Sequence, residues 1–209
     1  MFAEALARRR GERYPQGYSM QIEFEATFTG IDKDDVRKRL QAAGATLVKK
    51  ETMMRRSVFN PPIDIPCGWM RVRDEGDAIT MSLKIVNGDK IEDQKEIMLT
   101  VDDFDRAGEF LSSIGATKKA YQETLREAWT LNGAEITIDT WPGLRPFVEV
   151  EAHDETTVRA ASELLGFTYA DAKFCEVSTI YFEELGIPKE VMKNAMPVIT
   201  FENPPVPYV

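Results

Sequence analysis

The sequence predicts an α+β fold, an antiparallel sheet in two related halves with helices packed against its outside. Three observations predict it. Segments such as Ile22-Glu23-Phe24-Glu25 and Phe147-Val148-Glu149-Val150-Glu151 alternate apolar and charged residues at the two-residue period of a strand. Turn signals such as Asn87-Gly88 and Asn132-Gly133 punctuate them at hairpin spacing. The order strand, helix, hairpin strands, helix, more strands, helix suits an antiparallel sheet with helices on one side. No residue-level repeat is strong enough to claim duplication.

Residues 1–19 read as an N-terminal appendage, a short Ala/Arg/Glu helix broken at Tyr14-Pro15-Gln16-Gly17. Strand alternation begins near Gln21 and ends at Gly30. Asp32 is a candidate N-cap for a helix to about Ala42, with Val36 and Leu40 on its apolar stripe and Gly44 as its stop. Strand character returns at Thr46–Val48 and Ser57–Phe59, before Asn60-Pro61-Pro62, and continues at Trp69–Arg73, Ala78–Val86 and Lys90–Val101. Asp102 or Asp103 caps a helix that carries Phe104, Ala107, Phe110, Leu111 and Ile114 and ends at Gly115. Strands are then expected near Lys118–Leu131, Ala134–Thr140 and Pro146–Ala152. Helices are expected at Thr156–Leu165 and Ser178–Leu185. The tail from Met196, with Pro197, Pro204, Pro205 and Pro207, is expected to be extended and peripheral.

A chain of 209 residues with 43% hydrophobic content can bury a core as one domain with appendages. The net charge of −9 excludes non-specific nucleic-acid binding, which depends on phosphate neutralisation by Lys and Arg. Any polyanion site must be a local basic cluster in an acidic protein. Cys67 and Cys175 form neither a disulfide framework nor a zinc spacing, so a reduced, cytoplasmic protein is expected. Arg8-Arg9-Arg10 is followed by no apolar run of signal-peptide length, and no stretch has the length needed to span a membrane.

Within single strands the charged faces cluster by sign. Glu23, Glu25 and Thr27 share a face, as do Arg71 with Arg73, Ser82 with Lys84, Gln94 with Glu96, Gln122 with Thr124 and Arg126, Glu135 with Thr137 and Asp139, and Glu149 with Glu151. Such faces could simply meet water on an open sheet. Alternatively the sheet curls and they line a shared interior. Two like charges about 4 Å apart repel by about 4 kcal/mol at an effective dielectric of about 20. Converging carboxylates would therefore need cations, either Arg and Lys or Mg²⁺ or Mn²⁺, and spare basic groups could hold phosphate.

The ordered set of these motifs resembles the CYTH superfamily of triphosphate tunnel metalloenzymes. An N-terminal ExExK strand corresponds to Glu23-Phe24-Glu25-Ala26-Thr27. Paired arginines correspond to Arg71 and Arg73, a strand lysine to Lys84, a KE pair to Lys95-Glu96, an Arg-Glu strand to Arg126-Glu127, a strand ending in Asp to Ile138-Asp139, and the last motif to Phe147–Glu151. Ser178-Thr179-Ile180-Tyr181 loosely matches the family's Ser-Tyr helix. The resemblance covers residues 20–186 and leaves a C-terminal helix and Pro-rich tail at 187–209.

It implies an eight-stranded antiparallel barrel whose tunnel binds a triphosphate. Glu23, Glu25, Asp139, Glu149 and Glu151 would surround Mg²⁺ or Mn²⁺, with Glu23 and Glu25 serving catalysis. Arg71, Arg73, Lys84 and Arg126 would hold the phosphates of tripolyphosphate, ATP or thiamine triphosphate. Catalysis would be metal-assisted attack on phosphorus, and analogy with the cyclases suggests a homodimer. The chain departs from the pattern at Thr27 and Thr124, where the family carries lysines, at Arg56, where it carries Asp, and at Arg145 after Gly143-Leu144. Arg56 and Lys95 are the residues that could restore the lost charge.

Other candidates are weaker. His153, the only histidine, reads as a turn residue, no cysteine has an activating partner, and no P-loop motif exists. Trp69, Trp129 and Trp141 read as packing residues, and Lys49-Lys50 with Arg55-Arg56 as a solvated strand face. Three functions stay open: a metal-dependent triphosphatase, a class IV type adenylate cyclase forming cyclic AMP and pyrophosphate, and a non-catalytic polyphosphate- or nucleotide-binding module.

Overall fold

The computed structural model describes residues 20–208. The N-terminal appendage expected at residues 1–19 lies outside them. Ten strands form one sheet: β1 Gln21–Ile22, β2 Phe24–Phe28, β3 Thr46–Asn60, β4 Gly68–Asp74, β5 Ile79–Val86, β6 Gln94–Val101, β7 Thr117–Leu131, β8 Ala134–Thr140, β9 Phe147–Ala152 and β10 Val198–Ile199. Among the described residues five helices lie outside it: α1 Lys33–Ala42, α2 Phe104–Ser113, α3 Glu155–Leu164, α4 Val177–Leu185 and α5 Lys189–Asn194.

The strand order is β1-β6-β5-β4-β3-β7-β8-β9-β2, antiparallel throughout. The two ends of this path, β1 and β2, are neighbours in the chain, separated only by Glu23. β1 pairs with β6 through Gln21↔Glu96, and β2 pairs with β9 through Phe24↔Ala152 to Phe28↔Val148. At the break, the Glu23 amide donates to the Gln94 carbonyl at 3.0 Å. The sheet is thereby nearly closed into a barrel, and counting β1–β2 as one interrupted strand gives the expected eight staves. Near-closure leaves no long free edge.

Most apolar strand residues face outward, and three clusters of them pack under the helices. Ala26, Ile136, Ile138, Val148 and Val150 form one core with Val36 and Leu40 of α1 and Val158 and Ala161 of α3. Phe59 and Val72 form a second with Phe104, Ala107 and Leu111 of α2. Asp32, Asp103 and Asp154 cap α1, α2 and α3, accepting from the amides of Asp35, Arg106 and Thr157 at 2.8–2.9 Å. Because the cores lie outside, the barrel interior is free to be polar.

Three expectations change. Thr46–Val48 and Ser57–Phe59 are the two ends of one 15-residue strand, β3, which bends through register shifts and pairs with β7. Asn87-Gly88 opens no tight hairpin, because a 3₁₀ turn at Ile91–Asp93 follows and buries Ile91 in the first core. The tail is extended but not peripheral. Its β10 pairs in parallel with Tyr121 and Gln122 of β7, and Ile199 is fully buried against α4 and α5. Farther on, Pro205 packs so closely on Gly143 (φ +81°) that a Cβ there would stand 2.5 Å from the proline carbonyl oxygen.

Candidate functional site

Strand alternation decides what the barrel holds inside. β3, β4, β5 and β7 turn Arg56, Arg71, Arg73, Lys84 and Arg126 inward, while β2, β8 and β9 turn in Glu25, Glu135, Glu149 and Glu151. A basic wall thus faces an acidic one across a cavity of about 370 Å³. Of the residues expected to form the site, Glu23, Glu25, Arg71, Arg73, Lys84, Arg126, Glu149 and Glu151 all line this cavity. Asp139 stands apart. It is fully buried off the cavity surface, behind Arg126.

Much of the interior charge is already paired. Arg126 reaches Asp139 Oδ1 at 2.7 Å through Nε and Glu149 Oε2 at 2.6 Å through a terminal nitrogen, while Thr137 donates to Asp139 Oδ2 at 2.7 Å. Lys84 Nζ lies 2.7 Å from Glu23 Oε2, Arg71 lies 3.0 Å from Glu96 Oε1, and Arg73 lies 2.6 Å from Glu75 Oε1. Glu23 and Glu96 behave as a pair. Burial and Glu96 push the Glu23 carboxyl up; despite its own burial, Glu96 is held down by Glu23 and Arg71.

The acidic wall is less well answered. Glu25 and Glu151 are direct partners in the β2–β9 register, Glu151 is in turn opposite Glu135, and none of the three meets a basic side chain at ion-pair distance among the described residues. Burial and then the charge of Glu25 raise both Glu149 and Glu151. Hard carboxylate oxygens, crowded and short of cations, fit a divalent ion such as Mg²⁺ or Mn²⁺ in donor chemistry. Among the described residues no three such groups already converge on one point.

Several lining residues lie outside the expected binding set, although Arg56 was one of two residues that could restore the lost charge. Arg56, half of an apparent surface pair, is 6% exposed and faces inward, whereas Arg55 faces out to Asp74 at 3.0 Å. Trp69 and Trp141 both line the cavity, and Trp141 lies under Arg56, with the guanidinium carbon 4.6 Å from its ring centre. Glu176, Ser178, Met192 and Lys193 of the C-terminal segment complete the lining. Lys95, offered as a replacement charge, is exposed on the outer face. His153 is exposed, and burial pushes the Cys175 thiol up to about 11, against a nucleophilic role.

The CYTH domain profile matches residues 63–180. The chain belongs to the CYTH family. The superfamily is that of the triphosphate tunnel metalloenzymes, which are metal-dependent and bind triphosphate substrates. No curated protein matches the chain. Solved CYTH-like structures share its fold. A candidate adenylate cyclase from Vibrio parahaemolyticus is 13% identical with a TM-score of 0.66, covering 78% of this chain and 98% of its own. A conserved hypothetical protein from Pyrococcus furiosus is 19% identical with a TM-score of 0.63, covering 76% and 99%. A candidate adenylyl cyclase from Hippeastrum, described as having a dominant triphosphatase activity, is 12% identical with a TM-score of 0.52, covering 82% and 99%. No helix among the described residues is long and apolar enough to cross a membrane.

Proposed function

We propose that this CYTH protein is a divalent-metal-dependent triphosphatase acting on an inorganic or organic triphosphate bound inside the barrel. The observation that carries the reading is the division of one cavity into a basic wall of Arg71, Arg73, Lys84 and Arg126 and an acidic wall of Glu25, Glu149 and Glu151. Arginine forks and a lysine ammonium match phosphate oxygens in charge and donor geometry. Glu25, Glu149 and Glu151 would hold Mg²⁺ or Mn²⁺, with Glu23 beside them tied to Lys84. When bound, the ion supplies charge neutralisation at the phosphates and a water of lowered pKa. Arg126 anchors the acidic wall through Glu149, and Asp139 holds Arg126 from behind, so Asp139 acts as a positioning residue. The domain working in this way spans residues 20–186, and the described part of the C-terminal segment packs against it through β10 and α5.

The Hippeastrum neighbour's dominant triphosphatase activity favours hydrolysis over cyclisation. A cyclase reading has one observation of its own. Val58, Trp69, Val86, Met98 and Met192 give the lining enough apolar surface for an organic group beside the phosphates. Phosphorus NMR of the protein with tripolyphosphate and with ATP, each with Mg²⁺ and Mn²⁺, separates the readings. Orthophosphate release is expected, and Glu151→Gln should slow it and raise the metal concentration required. Pyrophosphate with a cyclic monophosphate signal would replace hydrolysis by the cyclase reaction. Line broadening without turnover would leave a binding module.

A further inference from the structure

Arg56 differs from the four cations expected to form the basic wall, and it is more deeply buried than Lys119, the half-buried lining lysine that also lacks an ion pair among the described residues. Arg71, Arg73, Lys84 and Arg126 each face a carboxylate at 3.0 Å or less, whereas no acidic side chain reaches Arg56 at ion-pair distance among the described residues. One terminal nitrogen donates to Thr124 Oγ1 at 2.8 Å, the guanidinium lies over Trp141, and Nε, fully buried, has no partner. Arg56 lines the cavity at 6% exposure. In register it stands opposite Arg73 on one side and Gln122 on the other. Like charges directly opposite across two strands repel, and a guanidinium cannot escape by losing its proton.

A purely structural role accounts poorly for these facts. A face-on contact with Trp141 and one neutral hydrogen bond offset only part of the cost of burying a full charge. They do fix the orientation of the side chain, leaving most of its five donors unused. A rigid, desolvated and unanswered cation beside a second arginine needs an anion between them.

We propose that Arg56 is a phosphate-binding residue of the cavity, forming with Arg73 and Arg71 a cradle for adjacent phosphates of an oligophosphate. The inference rests on the reading that a polyphosphate occupies the barrel, and it adds a binding residue from β3 to the basic wall. Trp141 and Thr124 act as positioning residues that aim the fork.

The test compares the intact wild-type protein, Arg56→Met and Lys50→Met, which removes a charge from the outside of the same strand. Calorimetric titration with inorganic tripolyphosphate, with and without Mg²⁺, is paired with thermal melting of the free proteins. Arg56→Met should weaken tripolyphosphate binding by about ten- to a hundredfold, as loss of a charged hydrogen bond does, while melting no lower than wild type without ligand. Lys50→Met should leave affinity within about twofold of wild type. Wild-type affinity in Arg56→Met with a lowered melting temperature would make Arg56 a structural plug and overturn the proposal, leaving the triphosphate reading intact. No binding by the wild type in either condition would remove both. Should Arg56→Met fail to fold, the Arg56 Nε–H resonance of the wild type, assigned by its loss in Arg56→Lys, must shift when tripolyphosphate is added. An unmoved resonance overturns the proposal.

Discussion

Arg126 holds two carboxylates at once, and one of them, Asp139, is fully buried. Removing the guanidinium would strand that charge with only Thr137 as a donor. Arg126→Met is therefore expected to destabilise the protein by about 3–5 kcal/mol, measured by urea unfolding. Asp139→Asn in the same chain should recover part of that loss, and a loss below about 1 kcal/mol would show that Asp139 is not the charge Arg126 answers. The inward direction of Arg126 was legible from two-residue alternation, but its partners were not, since they come from two other strands. Arg56 stood out as a residue that could restore lost charge, but its inward direction was hidden for a different reason. Lys49, Lys50, Arg55 and Arg56 read as one basic run, yet Lys49 pairs outside with Asp77, Arg55 pairs outside with Asp74, and Arg56 turns in. Register shifts between Leu47 and Thr52 break the parity on which such a reading depends.

At the scale of elements, α1 is tied to the barrel by more than its apolar stripe. Arg37 donates to both oxygens of Glu127 on β7, at 2.8–3.2 Å, and Trp129 Nε1 donates to the same carboxylate at 2.8 Å. Glu127 is 5% exposed on the outer face, so Arg37→Met should cost about 2 kcal/mol by thermal or urea unfolding. A cost near zero would mean that the indole and solvent suffice for Glu127. The helices were the most legible elements, because caps such as Asp32 and stops such as Gly44 act locally. Strand ends were less so. The 3₁₀ turn at Ile91–Asp93 depends on Ile91 finding the core beneath α1 and α3, which nothing within a few residues of Asn87-Gly88 announces. Likewise β10 exists because β7 runs past the end of β8 and leaves Tyr121 and Gln122 free to pair.

For the whole molecule, sign clustering within strands pointed to a polar interior, and the CYTH resemblance supplied the barrel that makes it one. Near-closure itself is not a local property. It depends on Glu23 stepping from β6 to β9, strands that lie far apart in the chain. That step has a kinetic consequence. The first strand made must wait for the last barrel strand, with a loop of more than half the chain to be closed between them, so this seam is expected to form late in folding. Val150, fully buried and opposite Ala26 on that seam, reports on it. Val150→Ala should raise the unfolding rate about tenfold or more while leaving the refolding rate nearly unchanged in stopped-flow experiments. A slowed refolding arm would instead place the seam in the nucleus. Late closure also means that, until residue 152 arrives, the acidic and basic walls are two open surfaces in water. The cavity comes into being only at the final step, which makes a tunnel ligand a latch on the finished barrel and not a template for building it.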